Sequence, residues 1–138
     1  MTRFAKSCIL SILIISSTLL SFSYSWAQTE AKTDVNIYFF WGDGCPHCEE
    51  EKPFLDSLVS NSDRVSLVDY EVWYNADNQA ILQEFSQVLG LEPRGVPVTV
   101  IGDQYWIGFR DEYKTEIESA LQDALDNPNT IDIGRELA

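Results

Sequence analysis

The sequence predicts a single α/β domain with the element order β-α-β-α-β-β-α. A chain of 138 residues with 45% hydrophobic and 12% aromatic residues can build one compact domain and little more. Runs rich in β-branched and aromatic residues alternate along the chain with segments in which apolar residues recur at helical spacing. The N-terminal segment differs in composition from the rest and is set apart from this domain.

Residues 1–27 are interpreted as a secretory signal peptide. Arg3 and Lys6 precede an apolar run over residues 8–20, and Ser25-Trp26-Ala27 places small residues at the two positions that a signal peptidase reads. The run is short for a membrane span, which needs about 20 apolar residues. We therefore expect an exported protein, periplasmic or secreted, and a retained N-terminal membrane anchor is the weaker alternative.

The first half of the domain predicts a strand, a helix and a second strand. The segment VNIYFFW, residues 35–41, has almost no polar interruption, which favours a central strand covered on both faces. Residues 45–60 predict a helix whose apolar face contains Phe54, Leu55, Leu58 and Val59. Residues 65–72 predict the second strand.

The second half predicts a helix, a hairpin and a last helix. The helix over residues 77–89 ends at Gly90 and directs four apolar residues to the core: Ile81, Phe85, Val88 and Leu89. Residues 96–109 predict a hairpin with a type II′ turn at Gly102-Asp103. The helix over residues 111–125 repeats apolar residues at Tyr113, Ile117, Leu121 and Leu125.

The domain is thus predicted to span residues 35–126. A linker over residues 28–34 precedes it, and a C-terminal tail over residues 127–138 follows it, beginning with the helix-ending NPN of residues 127–129. The linker and about the last ten residues of the chain are expected to be poorly ordered.

The charge of the chain excludes some classes of partner. Without residues 1–27 there are 22 acidic and 7 basic residues, and the formal net charge is −15. Such a surface repels phosphate backbones and anionic membranes, and no cluster of basic residues offsets it, so nucleic-acid binding is disfavoured. The excess of acid is interpreted as favouring solubility.

The stretch GDGCPHCEEEKP, residues 42–53, carries the candidate chemistry. It contains Cys45 and Cys48, separated by Pro46 and by His47, the chain's only histidine. A structural zinc site needs four ligands, and this stretch offers three. A disulfide across so short a loop stabilises little, because the expected gain grows with loop length. A metal clip and an inert disulfide remain alternatives, and a redox pair is favoured.

The position of Cys45 favours redox chemistry. It follows a buried strand and begins a helix, where the first N–H groups and the helix dipole stabilise a thiolate. Pro46 suits the first helical turn, and His47 adds a donor or a positive charge, so both are candidates for tuning the Cys45 thiol. Cys45 is expected to be the exposed nucleophile and Cys48 the shielded, resolving thiol. The acidic run 49–51 opposes a thiolate, but we expect it to be exposed and screened.

Several separated positions resemble the thioredoxin superfamily over residues 35–125. Trp41 precedes the first cysteine by four residues, Pro53 follows it by eight, RGVP at residues 94–97 resembles the cis-proline loop, and Gly108 resembles the glycine that closes the next strand. The resemblance implies a thioredoxin-like fold, with a mixed four-stranded sheet and helices on both faces. It also implies a cis Val96–Pro97 bond and substrate contacts at Val96, Pro97 and Trp41.

The spacer Pro46-His47 and the valine before Pro97 resemble the secreted disulfide-forming oxidases called DsbA. Two features differ from that group: Phe39 occupies the position of a buried acid, and no long helical insertion is present. The absence of that acid puts assisted proton transfer from Cys48 in doubt.

The resemblance implies an exported enzyme, a protein thiol-disulfide oxidoreductase with a redox-active Cys45–Cys48 disulfide, and the oxidase direction is favoured. It implies no cofactor and no metal. The expected partners are protein substrates with cysteines or disulfides and a membrane or soluble redox partner for recycling, and the expected state is a monomer. Two alternatives stay open. One is a dedicated disulfide reductase, for example in cytochrome c maturation, and the other is a non-catalytic thioredoxin-like module that binds partners or copper.

Overall fold

The computed structural model describes residues 34–137, so the predicted signal peptide and nearly all of the predicted linker lie outside the described residues. The elements in chain order are β1 Val35–Trp41, α1 Pro46–Ser60, β2 Val65–Glu71, α2 Ala76–Leu89, β3 Val98–Ile101, β4 Gln104–Ile107, α3 Asp111–Asp126 and α4 Ile133–Leu137. The predicted order is confirmed, and one further short helix follows it. Within residues 34–137, no helix has the length and apolar character needed to cross a membrane.

The four strands form one mixed sheet in the order β2-β1-β3-β4. Strand β1 pairs with β2 in parallel and with β3 in antiparallel register, and β3 pairs with β4 in antiparallel register. β1 therefore lies between two neighbours in the sheet, which explains its continuous apolar sequence. The α/β fold class and the mixed sheet are confirmed.

Alternate side chains of β1 belong to two separate cores, one on each face of the sheet. The core that includes residues of α1 and α3 contains Ile37, Phe39, Leu55 and Ile117. The core that includes residues of α2 and α4 contains Tyr38, Phe40, Phe85 and Ile133. The helices thus cover both faces of the sheet, and α1 and the start of β3 lie in contact around the first core.

Helix α2 begins and ends as the sequence predicts. Asn75 caps its N-terminus by accepting from two backbone N–H groups, and Gly90 ends it with a φ of 64°, in the left-handed region that favours glycine. The prediction that Val88 faces the core is wrong, since its side chain is 54% exposed. The buried side of α2 follows the row Ile81, Phe85 and Leu89, and Val88 lies off that row towards solvent.

The hairpin of β3 and β4 turns over two residues, as predicted. Gly102 has a φ of 61°, whereas Asp103 does not have a positive φ, which fits the type II′ turn.

The expectation of a poorly ordered C-terminus is wrong for residues 127–137. Asp132 accepts hydrogen bonds from the Tyr38 hydroxyl at 2.6 Å and from the Asn36 amide at 2.9 Å. Ile133, at the start of α4, is buried in the second core. The last helix is ordered because it covers the part of β1 and α2 that would otherwise leave apolar surface exposed.

Candidate active site

The two cysteines lie where β1 passes into α1. The connecting loop is held by a hydrogen bond from the Cys45 N–H to the Gly42 carbonyl at 3.0 Å, and Gly44 supplies a φ of 78°. Cys45 is the N-cap residue of α1, and its sulfur accepts the Cys48 N–H at 3.2 Å. Cys45 and Cys48 form a disulfide, with 5.3 Å between their Cα atoms. The sulfur of the cysteine at the helix start therefore receives one backbone N–H directly.

The expected difference in exposure between the two cysteines is wrong for the disulfide form. Cys45 is 4% exposed and Cys48 is 3% exposed. Cys45 is buried because the loop before β3 covers it, with the Val96 carbonyl oxygen 3.7 Å from the Cys45 sulfur. Pro46 and His47, which lie between the two cysteines in the chain, are both exposed.

The loop that covers Cys45 contains a cis peptide bond between Val96 and Pro97, as predicted. Pro97 is buried, and its carbonyl accepts the Gly108 N–H at 2.7 Å, which ties the loop to the end of β4. Val98 follows at once and pairs with Phe40 in the central strand. The sheet therefore fixes Val96 and Pro97 beside Cys45, and their contact with substrate stays a prediction.

Trp41, the last residue of β1, is half-buried at the edge of this region. Its indole N–H donates to the Asp69 carboxylate on β2 at 3.2 Å. This bond fixes the ring near the helix start, and its predicted role in substrate contact stays a prediction.

His47 lies on the outer side of the helix start. Its side chain is 66% exposed, and Nδ1 is 3.8 Å from a carboxylate oxygen of Glu50. A tuning role for His47 stays a prediction. Within residues 34–137, no group of three or more histidine, cysteine or acidic residues is arranged to hold a metal ion.

The structure reveals a buried acid that the sequence interpretation missed. Glu51, expected to be exposed with its two acidic neighbours, is 1% exposed. Its Oε1 accepts the Thr99 hydroxyl at 2.7 Å, and its Oε2 has no hydrogen-bond partner among the described residues. Thr99 lies opposite Phe39 in the pairing of β1 and β3, so the carboxyl group lies between α1 and the sheet.

The spacing along α1 explains why Glu51 is buried. It lies three residues after Cys48 and four before Leu55, and both of these residues are buried on the same helix face. This row of three positions on one helix face, unlike the run of three acids, predicts that Glu51 is buried.

Burial raises the pKa of Glu51 from 4.5 to about 7, and the hydrogen bond from Thr99 opposes this only in part. A carboxylic acid in this environment exchanges its proton near neutral pH. Phe39 occupies the strand position where a buried acid was expected, and Glu51 places a carboxyl group in the same core from the helix side.

A second feature that the sequence interpretation missed is the loop between β2 and α2, which lies against the cysteine loop. Glu71 accepts the backbone N–H groups of Trp73 at 2.9 Å, Tyr74 at 3.0 Å and Asp43 at 3.4 Å. The Trp73 ring lies so close to Gly42 that a Cβ at that position would overlap it. One carboxylate thus ties two exposed aromatic residues to the loop that leads into Cys45.

Comparisons of the whole chain identify its fold. No protein-family model matches it, and no curated protein matches it either. Among solved structures, it is similar to a thiol:disulfide interchange protein DsbE of Chlorobium tepidum, with a TM-score of 0.53 and 14% identity over 68% of this chain and 82% of that one. It is also similar to a periplasmic thioredoxin-like protein of Salmonella enterica, with a TM-score of 0.50 and 13% identity over 70% and 87% of the two chains. The sheet order, the paired cysteines at the start of α1 and these similarities identify the fold as thioredoxin-like.

Proposed function

We propose that the protein is an exported thiol-disulfide oxidoreductase that exchanges disulfides with protein cysteines, with the oxidase direction favoured. The observation that carries this proposal is the Cys45–Cys48 disulfide at the N-terminus of α1, directly beside the cis Val96–Pro97 loop. The solved structures that the chain resembles include a disulfide interchange protein and a periplasmic protein, which supports both the reaction class and the export.

The reaction proceeds through a mixed disulfide. A substrate thiolate attacks the Cys45 sulfur, a substrate–Cys45 disulfide forms, and Cys48 leaves as a thiolate. A second substrate thiolate then attacks the substrate sulfur of that bond, which forms the substrate disulfide and releases Cys45 as a thiolate. The substrate loses two electrons and the protein gains them, and a separate redox partner reoxidises the cysteine pair. Every step is reversible, so the same residues support reduction.

The direction of the reaction follows from how well the Cys45 thiolate is stabilised. The Cys48 N–H donates to the Cys45 sulfur, and the helix dipole favours an anion at the same atom. A more stable thiolate makes the disulfide form a stronger oxidant. Pro46 contributes by allowing the first turn of α1 to form, and His47 contributes a hydrogen-bond donor or a positive charge near the thiolate.

Glu51 serves as the proton acceptor and donor for Cys48. Residues three apart on a helix have Cβ atoms about 5–6 Å from each other, which is close enough for proton transfer through one water molecule. When Cys48 leaves as a thiolate inside the core, protonated Glu51 neutralises it, and in the reverse direction the carboxylate accepts the Cys48 proton. A pKa of about 7 suits both transfers at neutral pH.

The disulfide reductase alternative also has an observation in its favour. A negative charge on Glu51 in the core, together with exposed Asp43 and Glu49 near the cysteines, opposes a thiolate and makes the pair more reducing. The exposed charges are screened by solvent and Glu51 holds its proton below a pH of about 7, so the helix dipole and the Cys48 N–H at Cys45 outweigh them.

Trapping of mixed disulfides tests the proposed function. A Cys48→Ser variant retains the attacking thiol but lacks the resolving one, so it should accumulate covalent complexes with reduced or oxidised partner proteins in the secretory compartment. A Cys45→Ser variant is the matched control and should accumulate none. The proposal fails if both variants trap partners equally or if neither traps any.

A further inference from the structure

A small pocket opens beside the disulfide, and the residues that line it include Cys48 but neither Val96 nor Pro97. Its volume is about 310 Å³, and Phe39, Trp41, Cys48 and Pro53 supply apolar walls. Cys48 therefore contributes to the pocket wall as well as to the disulfide. A pocket of this size beside the reacting sulfurs can accept one long side chain of a bound protein segment.

The charged residues that line this pocket are mostly acidic. Asp43, Glu49 and Asp69 line it, and all three are exposed. Lys52 is the only basic residue among the described residues that line it, and its ammonium group is already bound by the Asp56 carboxylate. An approaching peptide thus meets a negative potential beside the sulfur that it must reach.

Two exposed aromatic side chains continue this surface. Trp73 is 47% exposed and Tyr74 is 80% exposed, although both are large and apolar. The Trp73 ring lies over Gly42, which itself lines the pocket. Exposed tryptophan and tyrosine residues are typical of binding hot spots, and their ring faces attract cationic groups.

We propose that the pocket and the Trp73-Tyr74 pair form a docking surface for protein segments that carry arginine or lysine beside the reacting cysteine. An arginine or lysine stem fits along the apolar walls while its charged end reaches the carboxylates at the rim. This inference rests on the proposed function and specifies its substrate class.

Three peptides of equal length test this inference. Each contains one disulfide, and the flanking residues are arginine, glutamine or glutamate. The measurement is the second-order rate constant for exchange with the reduced protein. The arginine peptide should react at least about tenfold faster than the glutamate peptide at about 0.01 M salt, where charges act over about 30 Å. The ratio should fall towards one near 1 M salt, where that distance is about 3 Å.

Two double variants locate the effect. Asp43→Asn with Asp69→Asn removes two rim charges while leaving an oxygen that can accept the Trp41 indole N–H, and it should lower the arginine-to-glutamate ratio at least about threefold. Glu84→Gln with Glu118→Gln removes two exposed charges from α2 and α3, and it should lower the ratio much less than the rim variant does. An equal loss in both variants would overturn the docking surface, because the preference would then come from the total charge of the protein.

Tyr74→Ala tests the aromatic part with little risk to folding, since this side chain is 80% exposed. It should slow the arginine peptide more than the glutamine peptide, and an equal effect on both would contradict the cation contact.

The glutamine peptide distinguishes failure of the docking inference from failure of the proposed function. If it reacts but all three peptides react at the same rate, only the docking inference fails. If none of the peptides reacts, the proposed function fails, and the docking inference fails with it.

Discussion

Replacing Glu51 with glutamine should change how the stability of the protein depends on pH. Burial raises the pKa of this carboxyl group from 4.5 to about 7, so the folded protein holds a proton that the unfolded chain releases. The contribution of protonated Glu51 to the free energy of unfolding is fully present below pH 4.5 and is lost as the pH rises through about 7. One pH unit corresponds to about 1.4 kcal/mol, so the loss from end to end amounts to about 3 kcal/mol.

Urea denaturation of the oxidised wild type and of Glu51→Gln at pH values from 4 to 9 measures this effect. Glutamine cannot ionise, and its amide oxygen can still accept the Thr99 hydroxyl. The free energy of unfolding of the variant should therefore rise relative to that of the wild type as the pH rises, by about 3 kcal/mol in all, with most of the change between pH 4.5 and 7.

Glu49→Gln, two residues away on the exposed side of α1, is the matched control, and its difference from the wild type should change little with pH. A constant difference between Glu51→Gln and the wild type over this range would refute the reasoning. It would mean that Glu51 ionises in the folded protein as easily as in water, and the proposed proton transfer to and from Cys48 would lose its basis.

Three further predictions concern the redox pair, the C-terminus and the cysteine loop. Equilibration with glutathione should give a reduction potential more oxidising than about −220 mV, and His47→Pro should make it more negative; a wild-type value near about −270 mV would favour the reductase instead. Tyr38→Phe removes the 2.6 Å bond to Asp132 and should cost about 1 kcal/mol in urea denaturation, because a half-buried carboxylate loses one of its donors; no loss would contradict the docking of the C-terminal helix seen here. Gly42→Ala places a methyl group where the Trp73 ring lies, so it should displace that ring and shift the tryptophan fluorescence, and an unchanged spectrum would show that Trp73 does not rest on this loop.

The parts of the fold that local sequence determines were predictable. The apolar strand β1, the helix stop at Gly90 and the two-residue turn at Gly102 each depend on neighbouring residues alone, and each is confirmed. The cis Val96–Pro97 bond followed from the resemblance of a four-residue stretch to a known loop.

The features that were missed depend on contacts between distant residues. Glu51 is buried because Thr99, 48 positions later, supplies a partner, and α4 is ordered because Tyr38 and Asn36 bind Asp132 more than 90 positions away. The placement of Trp73 over Gly42 likewise depends on the parallel pairing of β1 and β2. The helical row of Cys48, Glu51 and Leu55 indicates that Glu51 faces the core, but composition and periodicity do not identify the distant partners of Glu51, Asp132 or Trp73.

Turnover with a reduced, unfolded protein substrate tests the central claim most directly. With an excess of glutathione disulfide as oxidant, the number of disulfides formed in the substrate per molecule of protein is measured for the wild type and for Cys45→Ser. The proposed function predicts many disulfides per wild-type molecule and only the uncatalysed rate with Cys45→Ser. A wild-type yield of no more than one disulfide per molecule, or equal rates for the two proteins, would contradict it and would favour a non-catalytic binding module.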